Sequence, residues 1–198
     1  MTRTYEITAA KILADARRML ADSRTDMPQR NDDADMIAAL NEALRALVGV
    51  LPGLFTEFGA HTCTAGHLQR LAFDRATIFV RVLDLPEGDA ATLTQFMPGW
   101  TSGATGAPVE FMRVAGDPEQ FMVYPPAVGD EVLQVQYVAA APDITTAADA
   151  VPVPEALAPA LVEYVVGRVE MADDEHVNSG RAAALLERFT NSAKALGV

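Results

Sequence analysis

Several residue types on which many enzymes and exported proteins rely are scarce in this sequence. Its 198 residues include one cysteine, three histidines and one tryptophan. A single cysteine, Cys63, excludes an internal disulfide and fits assembly in a reducing cytoplasm, so we expect it to be a small buried hydrophobe. No run of about 18 apolar residues occurs, and charges interrupt the N-terminal stretch where a signal peptide would need an apolar segment. The sequence therefore predicts a soluble, unexported protein with no membrane partner.

Positive charge is also scarce. The chain has 15 Lys and Arg against 27 Asp and Glu, a formal net charge of -12. This argues against binding to a phosphate backbone, which depends on clustered cations that release counterions. Half of the excess lies in residues 101–150, where Arg113 is the only cation. With 50% hydrophobic and 21% charged residues, the composition is that of a globular protein long enough for one domain with a sizeable core.

Two helical patterns occupy the N-terminal part of the chain. Apolar residues recur at spacings of three and four from Ile7 to Leu20 and again from Met36 to Leu51, which predicts two amphipathic helices. Asp32 or Asp33 would cap the start of the second helix. Pro52, followed by glycine, would end it.

Helical spacing returns in the C-terminal part. A stripe from Leu157 to Ala172 predicts a third long helix, whose start Pro159 could make irregular. A last helix, roughly Val177 to Leu196, would place four side chains on one face: Leu185, Phe189, Ser192 and Leu196. Because neither terminal pair of helices can bury its apolar stripe alone, the two pairs are expected to pack as one bundle.

The middle of the chain has the pattern of β-strands. Four segments are rich in β-branched and aromatic residues, partly alternate in polarity and are bounded by Gly, Pro and Asp turns: Ala76–Leu85, Pro108–Val114, Glu119–Pro125 and Glu131–Ala139. We therefore predict an α+β fold, a single domain over residues 1–198. Residues 1–58 and 152–198 would form the helical bundle, and residues 60–140 an inserted small antiparallel β-sheet.

A long connection, residues 86–108, separates the first two of these segments and contains the only tryptophan, Trp100. Connections of this length in a compact domain are usually functional or disordered. Trp100 could fold back as a core plug, or it could be an exposed anchor, since tryptophan is enriched in interface hot spots.

Two short motifs could in principle carry chemistry. In "HTCTAGH", His61, Cys63 and His67 could hold a metal, but the paired spacing and fourth ligand of a zinc site are absent. A strand, a turn at Gly66 and a second strand are the simpler interpretation. The stretch "GWTSGATG" (99–106) shares only its glycines with a phosphate-binding loop, because it has no Lys and no strong helix follows.

A third cluster is the acidic stretch from Glu170 to His176, "EMADDEH". On a helix, Glu170 and Asp174 would share a face, a geometry that can bind a divalent ion but also occurs on any solvated acidic surface. No nucleophile motif or triad context is present. We therefore predict no catalytic, cofactor-binding or metal-binding residues and no enzymatic activity. Two alternatives stay open: a metal-dependent enzyme using Glu170, Asp173, Asp174 and His176, and a small-ligand-binding module in which the sheet and Trp100 line a pocket.

The order of these segments resembles that of the head-to-tail adaptor (connector) proteins of tailed bacteriophages, in particular the small adaptors of short-tailed phages. The resemblance covers nearly the whole chain and is carried by residues 7–22, 36–55, 97–143 and 151–197. Its most specific parts are the Pro-x-Trp segment at residues 98–100, the stretch "DPEQFMVYPP" (117–126) and the helix running into "GRAAALLERF" (180–189).

What this resemblance implies is a structural virion protein at the portal vertex, assembled in the bacterial cytoplasm. It would form a ring of identical copies, usually twelve, under the portal protein. The ring would extend the DNA channel, let genomic DNA pass without sequence-specific binding, and offer a docking surface to the tail tube or nozzle protein. An acidic channel wall would repel DNA and let it slide, so we expect part of the acidity of residues 104–149 to face the channel.

Overall fold

In a computed structural model of the chain, the structure describes residues 7–21, 31–172 and 179–196. The elements confirm the predicted α+β class. None of the helices in these described ranges is long and apolar enough to cross a membrane. In chain order the elements are α1 (Ala9–Met19), α2 (Asp33–Val50), β1 (Thr56–Thr62), β2 (Gly66–Arg70), β3 (Ala76–Val82), α3 (Ala90–Phe96), β4 (Glu110–Arg113), β5 (Gln120–Ala127), β6 (Val132–Ala139), α4 (Ala158–Ala172) and α5 (Ser179–Leu196).

The chain divides into two compact units. One, here the helical unit, combines Met1–Leu54 with Ala141–Val198; the other, the β unit, is Phe55–Ala140. In the helical unit, α4 is central and contacts α1, α2 and α5. Its apolar residues are buried on nearly every side, with Leu161, Val165 and Val166 fully inaccessible. Gly167 lets α5 approach closely, since a Cβ there would lie 3.2 Å from the Ala182 carbonyl oxygen.

The ends and faces of the helices follow local chemistry, with one exception. Asp32 caps α2, because its carboxylate accepts a hydrogen bond of 2.8 Å from the Asp35 N–H, as predicted. The buried stripe of α5 differs from the prediction: Ser192 and Leu196 are exposed. The residues that are buried are Ala182, Leu185, Phe189 and Ala193. Alanines thus form part of the contact face of α5, so a prediction based on large apolar residues misplaced part of the buried stripe.

A connecting segment, residues 141–153, completes the helical unit. The side chain of Asn41 on α2 both donates to the Ile144 carbonyl (2.9 Å) and accepts from the Ile144 N–H (2.8 Å). The N–H groups of Ala9 and Ala10 donate to carbonyls of this segment, which satisfies the start of α1 without a side-chain cap. The Asn-containing α2 therefore positions the chain that leads into α4.

The β unit contains two three-stranded antiparallel sheets instead of the single sheet that was predicted. Their strand orders are β1-β6-β3 and β2-β5-β4. The strands β1 and β2, which lie around "HTCTAGH", supply the third member of each sheet, and Gly66 with φ +114° makes the turn between them. Each sheet has one apolar face, and packing the two faces together buries both.

Aromatic rings fill the core of the β unit. Phe79 stacks on Phe121 with ring centroids 4.3 Å apart, and Phe73 stacks on Tyr137 at 4.6 Å. The Phe73 ring also lies against Gly59, where a Cβ would come within 2.7 Å of it. Gly59 is therefore required by close packing of the Phe73 ring.

Candidate assembly surfaces

The histidines and the cysteine of "HTCTAGH" do not come together. His61 and Cys63 are buried in the core of the β unit, at 4% and 2% exposure, and His61 meets Phe121 edge-on at 5.3 Å. His67 instead contacts Trp100, with ring centroids 5.5 Å apart. Burial raises the pKa of the Cys63 thiol to about 11, so the thiol is protonated and unreactive. His61 and Cys63 are therefore part of the core, and His67 is part of the contact with Trp100.

Of the acidic stretch at the end of α4, the structure describes residues 170–172. The Glu170 carboxylate forms an ion pair of 2.7 Å with Arg181 on α5. Asp173, Asp174 and His176 lie outside the described residues. Within the described part of the chain, no group of three or more His, Cys, Asp or Glu side chains could hold a metal ion.

The long connection, residues 86–108, lies over the outer face of the sheet β2-β5-β4, and we call it the cover segment. Trp100 is 6% exposed and packs against His67 on β2 and Tyr124 on β5, the latter at 6.0 Å between ring centroids. Its indole N–H donates to the Thr94 hydroxyl at 3.1 Å. Trp100 is therefore a core plug of this segment, and the alternative of an exposed anchor is wrong.

Backbone hydrogen bonds fix both ends of the cover segment. At its start, the Gly88 N–H donates to the Phe111 carbonyl (2.8 Å) and the Phe111 N–H donates to the Pro86 carbonyl (3.1 Å). At its end, the Gly106 N–H donates to the Pro126 carbonyl (2.9 Å). Asp89 caps α3, and hydrogen bonds from Thr92 lower the pKa of its carboxyl. The cover segment is therefore held to the β unit at both ends and at Trp100.

The cover segment exposes an apolar tip, Phe96 and Met97. Phe96 is 75% exposed and Met97 is 47% exposed at the end of α3, a helix that buries none of its own residues. The stretch from residue 90 to residue 109 contains no charged residue, in a chain that is otherwise strongly acidic. Sequence reasoning selected Trp100 and missed Phe96, although this neighbouring aromatic is the one that reaches solvent.

The outer face of the sheet β1-β6-β3 carries a second set of exposed apolar residues. Register pairs Phe58 with Gln136 and Thr62 with Val132, so these four residues share one face. Phe58 is 60% exposed and Val132 is 59% exposed. Val132 and Gln136 therefore lie on the outer face of β6, whereas Val135 and Tyr137 point into the core. Phe58 was missed, because β1 begins four residues before the predicted β region.

Most of the carboxylates in residues 104–149 hold local structure. Asp117 and Glu119 pair with Arg70. Glu131 accepts hydrogen bonds from the Val128 and Gly129 N–H groups, which contribute most to lowering the pKa of its carboxyl to about 2. Asp149 closes a turn by accepting hydrogen bonds from the backbone and hydroxyl groups of the two preceding threonines, which also lowers its pKa. Turn-capping carboxylates of this kind stay ionised even in mild acid, so the acidity of the region persists.

Shallow grooves lie between helices of the helical unit. One, of about 400 Å³, lies between α2 and α4, where Glu42 and Arg168 form an ion pair of 2.6 Å. Another, of about 550 Å³, lies beside α1 and α4 and is lined by Met19, Val162 and several charged side chains. Both are lined by apolar side chains together with charged side chains of both signs.

Comparison with known proteins bears on what these surfaces are for. No curated protein matches the chain. Among solved structures, the chain is similar to one in a structure described as the neck of an empty GTA particle computed with C6 symmetry. The identity is 18%, the alignment covers 94% of this chain and 93% of that one, and the TM-score is 0.29. A TM-score this low supports no argument by itself.

The match that identifies the chain is to a family model. The model described as SU10 adaptor protein matches residues 7–197, which includes both units of the chain and the cover segment. The resemblance seen in the sequence is thereby confirmed. The chain belongs to the SU10 adaptor protein family.

Proposed function

We propose that this chain is a head-to-tail adaptor of a phage-like particle. In this role it forms a ring of identical subunits, twelve in our proposal, between the portal protein and the tail tube or nozzle. The observation that carries the proposal is the family match over residues 7–197. It is an assembly role rather than an enzymatic one.

The exposed apolar surfaces support this assignment. Large apolar side chains on a monomer's surface mark interaction sites when they cluster. Phe96 and Met97 form such a cluster at the tip of the cover segment. We assign this tip to the contact with the tail component. The grooves of the helical unit are assigned to neighbouring subunits and the portal.

The acidity of the chain suits a DNA channel. Glu110 and Asp130 take part in no ion pair among the described residues, and together with Glu131 they make the β unit acidic. We propose that these carboxylates face the channel and repel the DNA backbone, so that DNA slides without being held. A ring structure with a basic lumen and these side chains on its outer rim would refute this part of the proposal.

The decisive experiment measures the mass of the protein by light scattering after gel filtration, alone and mixed with portal rings encoded by the same genome. We expect saturable co-elution at about one adaptor per portal subunit, the ratio given by a ring that shares the symmetry of the portal. A protein that never co-elutes with the portal at any ratio would refute the adaptor role.

A pair of variants tests the assignment of the tip. Phe96→Ser removes the most exposed aromatic ring of the tip, whereas Val128→Ser removes a similarly exposed apolar side chain from the β5–β6 turn. Both variants should fold and bind the portal. Only Phe96→Ser should lower the fraction of particles that acquire tails, and equal losses in the two variants would contradict the assignment.

A further inference from the structure

Among the described residues, no strand pairs with the outer hydrogen-bonding edge of β1 from Phe58 to Thr62. The Cys63 N–H donates to the Glu131 carbonyl on β6, so odd-numbered residues of β1 direct their backbone groups toward β6. The Gln134 carbonyl, opposite Ala60, accepts instead from Leu83 on the far side of β6. The N–H and C=O groups of Phe58, Ala60 and Thr62 therefore point away from the sheet. In the described part of the chain, no strand lies on that side of β1.

The other three sheet edges are blocked or broken. The pairing of β3 shifts register twice, and the Phe79 N–H is already taken by the Pro118 carbonyl. The pairing of β2 shifts between Gly66 and Leu68, and the start of the cover segment is hydrogen-bonded to β4. Bulges and coverings of this kind protect edges from pairing with other chains.

By contrast, the edge of β1 from Phe58 to Thr62 has none of these protections. The strand pairs with β6 over seven consecutive positions without a register shift. The edge-facing residues of this stretch, Phe58, Ala60 and Thr62, include no proline and no charge, and all three are exposed. A regular, uncharged and exposed edge is the kind of strand to which an extended peptide adds.

Symmetry restricts what can occupy this edge. The only regular free edge that a second copy offers among its described residues is its own β1. A pairing of β1 with β1 is two-fold symmetric and closes after two subunits, so it cannot continue around a ring. In the ring of the proposed function, no described strand of a second copy can fill this edge all the way around, and we assign the edge to a different protein.

Charge specifies the occupant further. The β unit carries ten carboxylates against four arginines, and each arginine is engaged: Arg70, Arg75 and Arg113 in ion pairs and Arg81 with Gln136. An acidic segment would be repelled by this unit, whereas a segment with Lys or Arg and no Asp or Glu would be attracted. On the outer face, an apolar residue of the segment would pack on Phe58.

We propose that the free edge of β1 binds an extended, basic or neutral segment of another particle protein, one segment per subunit, by strand addition. This inference rests on the proposed function. Strand addition supplies affinity through main-chain hydrogen bonds and specificity through the side chains on alternate faces.

Hydrogen exchange of the peptides that cover residues 56–63 tests the inference, with the isolated protein compared with purified tailed particles. In the particles, the amides of Phe58, Ala60 and Thr62 should become protected, a loss of three exchanging sites from these peptides. The odd-numbered amides are already bonded to β6 and should not change. Equal exchange of the three edge amides in particles that contain the chain would overturn the inference and leave the adaptor role intact.

Two further outcomes are decisive. Protection of the same amides in the isolated protein would assign the edge to a second copy and overturn the inference. Absence of the chain from purified particles would refute the proposed function and this inference with it.

A variant pair gives an independent readout. Ala60→Pro removes an N–H that faces away from β6, so it leaves the β1–β6 ladder complete, and Ala60→Thr keeps the N–H and suits a strand. Ala60→Pro should abolish the added protection and lower the yield of tailed particles, while Ala60→Thr should behave as the unmodified protein. If Ala60→Pro fails to fold, the exchange comparison of the unmodified protein still decides.

Discussion

Replacing Trp100 with alanine should release the cover segment from the β unit. The indole packs against His67 and Tyr124 and donates a hydrogen bond to Thr94. At 6% exposure it is the large side chain of the segment that is buried. The substitution removes all three interactions at once and leaves an apolar gap over the sheet β2-β5-β4.

The magnitude follows from the kinds of contact that are lost. Truncating a buried tryptophan to alanine costs about 3–5 kcal/mol, which includes two aromatic pairs at about 0.5–1.5 kcal/mol each and one hydrogen bond at about 1 kcal/mol. The backbone bonds at the two ends of the segment remain, so we expect the lower end of this range. A loss of about 3 kcal/mol is a large part of the stability of an ordinary domain, about 5–15 kcal/mol.

Urea denaturation followed by far-UV circular dichroism measures this loss. Phe96→Ala is the matched control, because it removes an aromatic ring from the same segment at a position 75% exposed, and it should change the free energy of unfolding by no more than about 0.5 kcal/mol. In the unmodified protein, the fluorescence of the single tryptophan should be blue-shifted and resistant to acrylamide quenching. Equal losses in the two variants, or a readily quenched tryptophan, would refute the reasoning.

Three further changes test the packing of the two units and one of the turns. Burial lowers the pKa of His61 below its usual 6.5, against a smaller raising effect of a hydrogen bond with Gln69. Because the folded pKa lies below the unfolded one, the stability contribution of His61 should be full above about pH 6.5 and should fall as the pH drops below it. His61→Phe should abolish that fall in a series of thermal melts. The pKa of Glu131 is lowered from 4.5 to about 2, so the contribution of this carboxylate to stability is present above pH 4.5 and is lost toward pH 2. Glu131→Gln should therefore lower the Tm at neutral pH, and Asp130→Asn should not. In the helical unit, Gly167→Ala should destabilise the protein by about 1–3 kcal/mol through overpacking, because its Cβ would lie 3.2 Å from the neighbouring helix. Gly49→Ala is the control: a Cβ there would have nothing within 4 Å, so it should stabilise α2 by up to about 1 kcal/mol. A lower free energy of unfolding for Gly49→Ala than for Gly167→Ala in urea titrations would contradict the packing.

Local signals predicted a large part of the fold. Asp32 caps α2 because the capping bond joins residues three apart, and Gly66 makes a turn because only a residue without a side chain readily adopts its φ of +114°. The apolar stripe of α2 needed no tertiary information either, since its buried residues repeat with the helical period. The burial of Cys63 agreed with the usual behaviour of a free cysteine.

The errors share a cause, which is that the partner of each residue lies far away in sequence. Leu196 continues the period of α5 but is 51% exposed, because α4 contacts the alanines on a neighbouring face. The β region was predicted as one sheet, since alternation within a strand does not say which strands are neighbours. Phe58 was missed for the same reason: its strand becomes visible only from its pairing with β6.

The sequence by itself determined the α+β class, the positions of most elements and, through its resemblance, the adaptor family, because periodicity, caps, turns and motifs are all written along the chain. Only the tertiary structure decided that Trp100 is buried while Phe96 is exposed, and that β1 is an edge strand with a regular register among the described strands. Burial and edge position are properties of the neighbours that folding brings from elsewhere in the chain. For this protein, the family could therefore be identified from sequence, whereas its candidate contact surfaces had to be found in the fold.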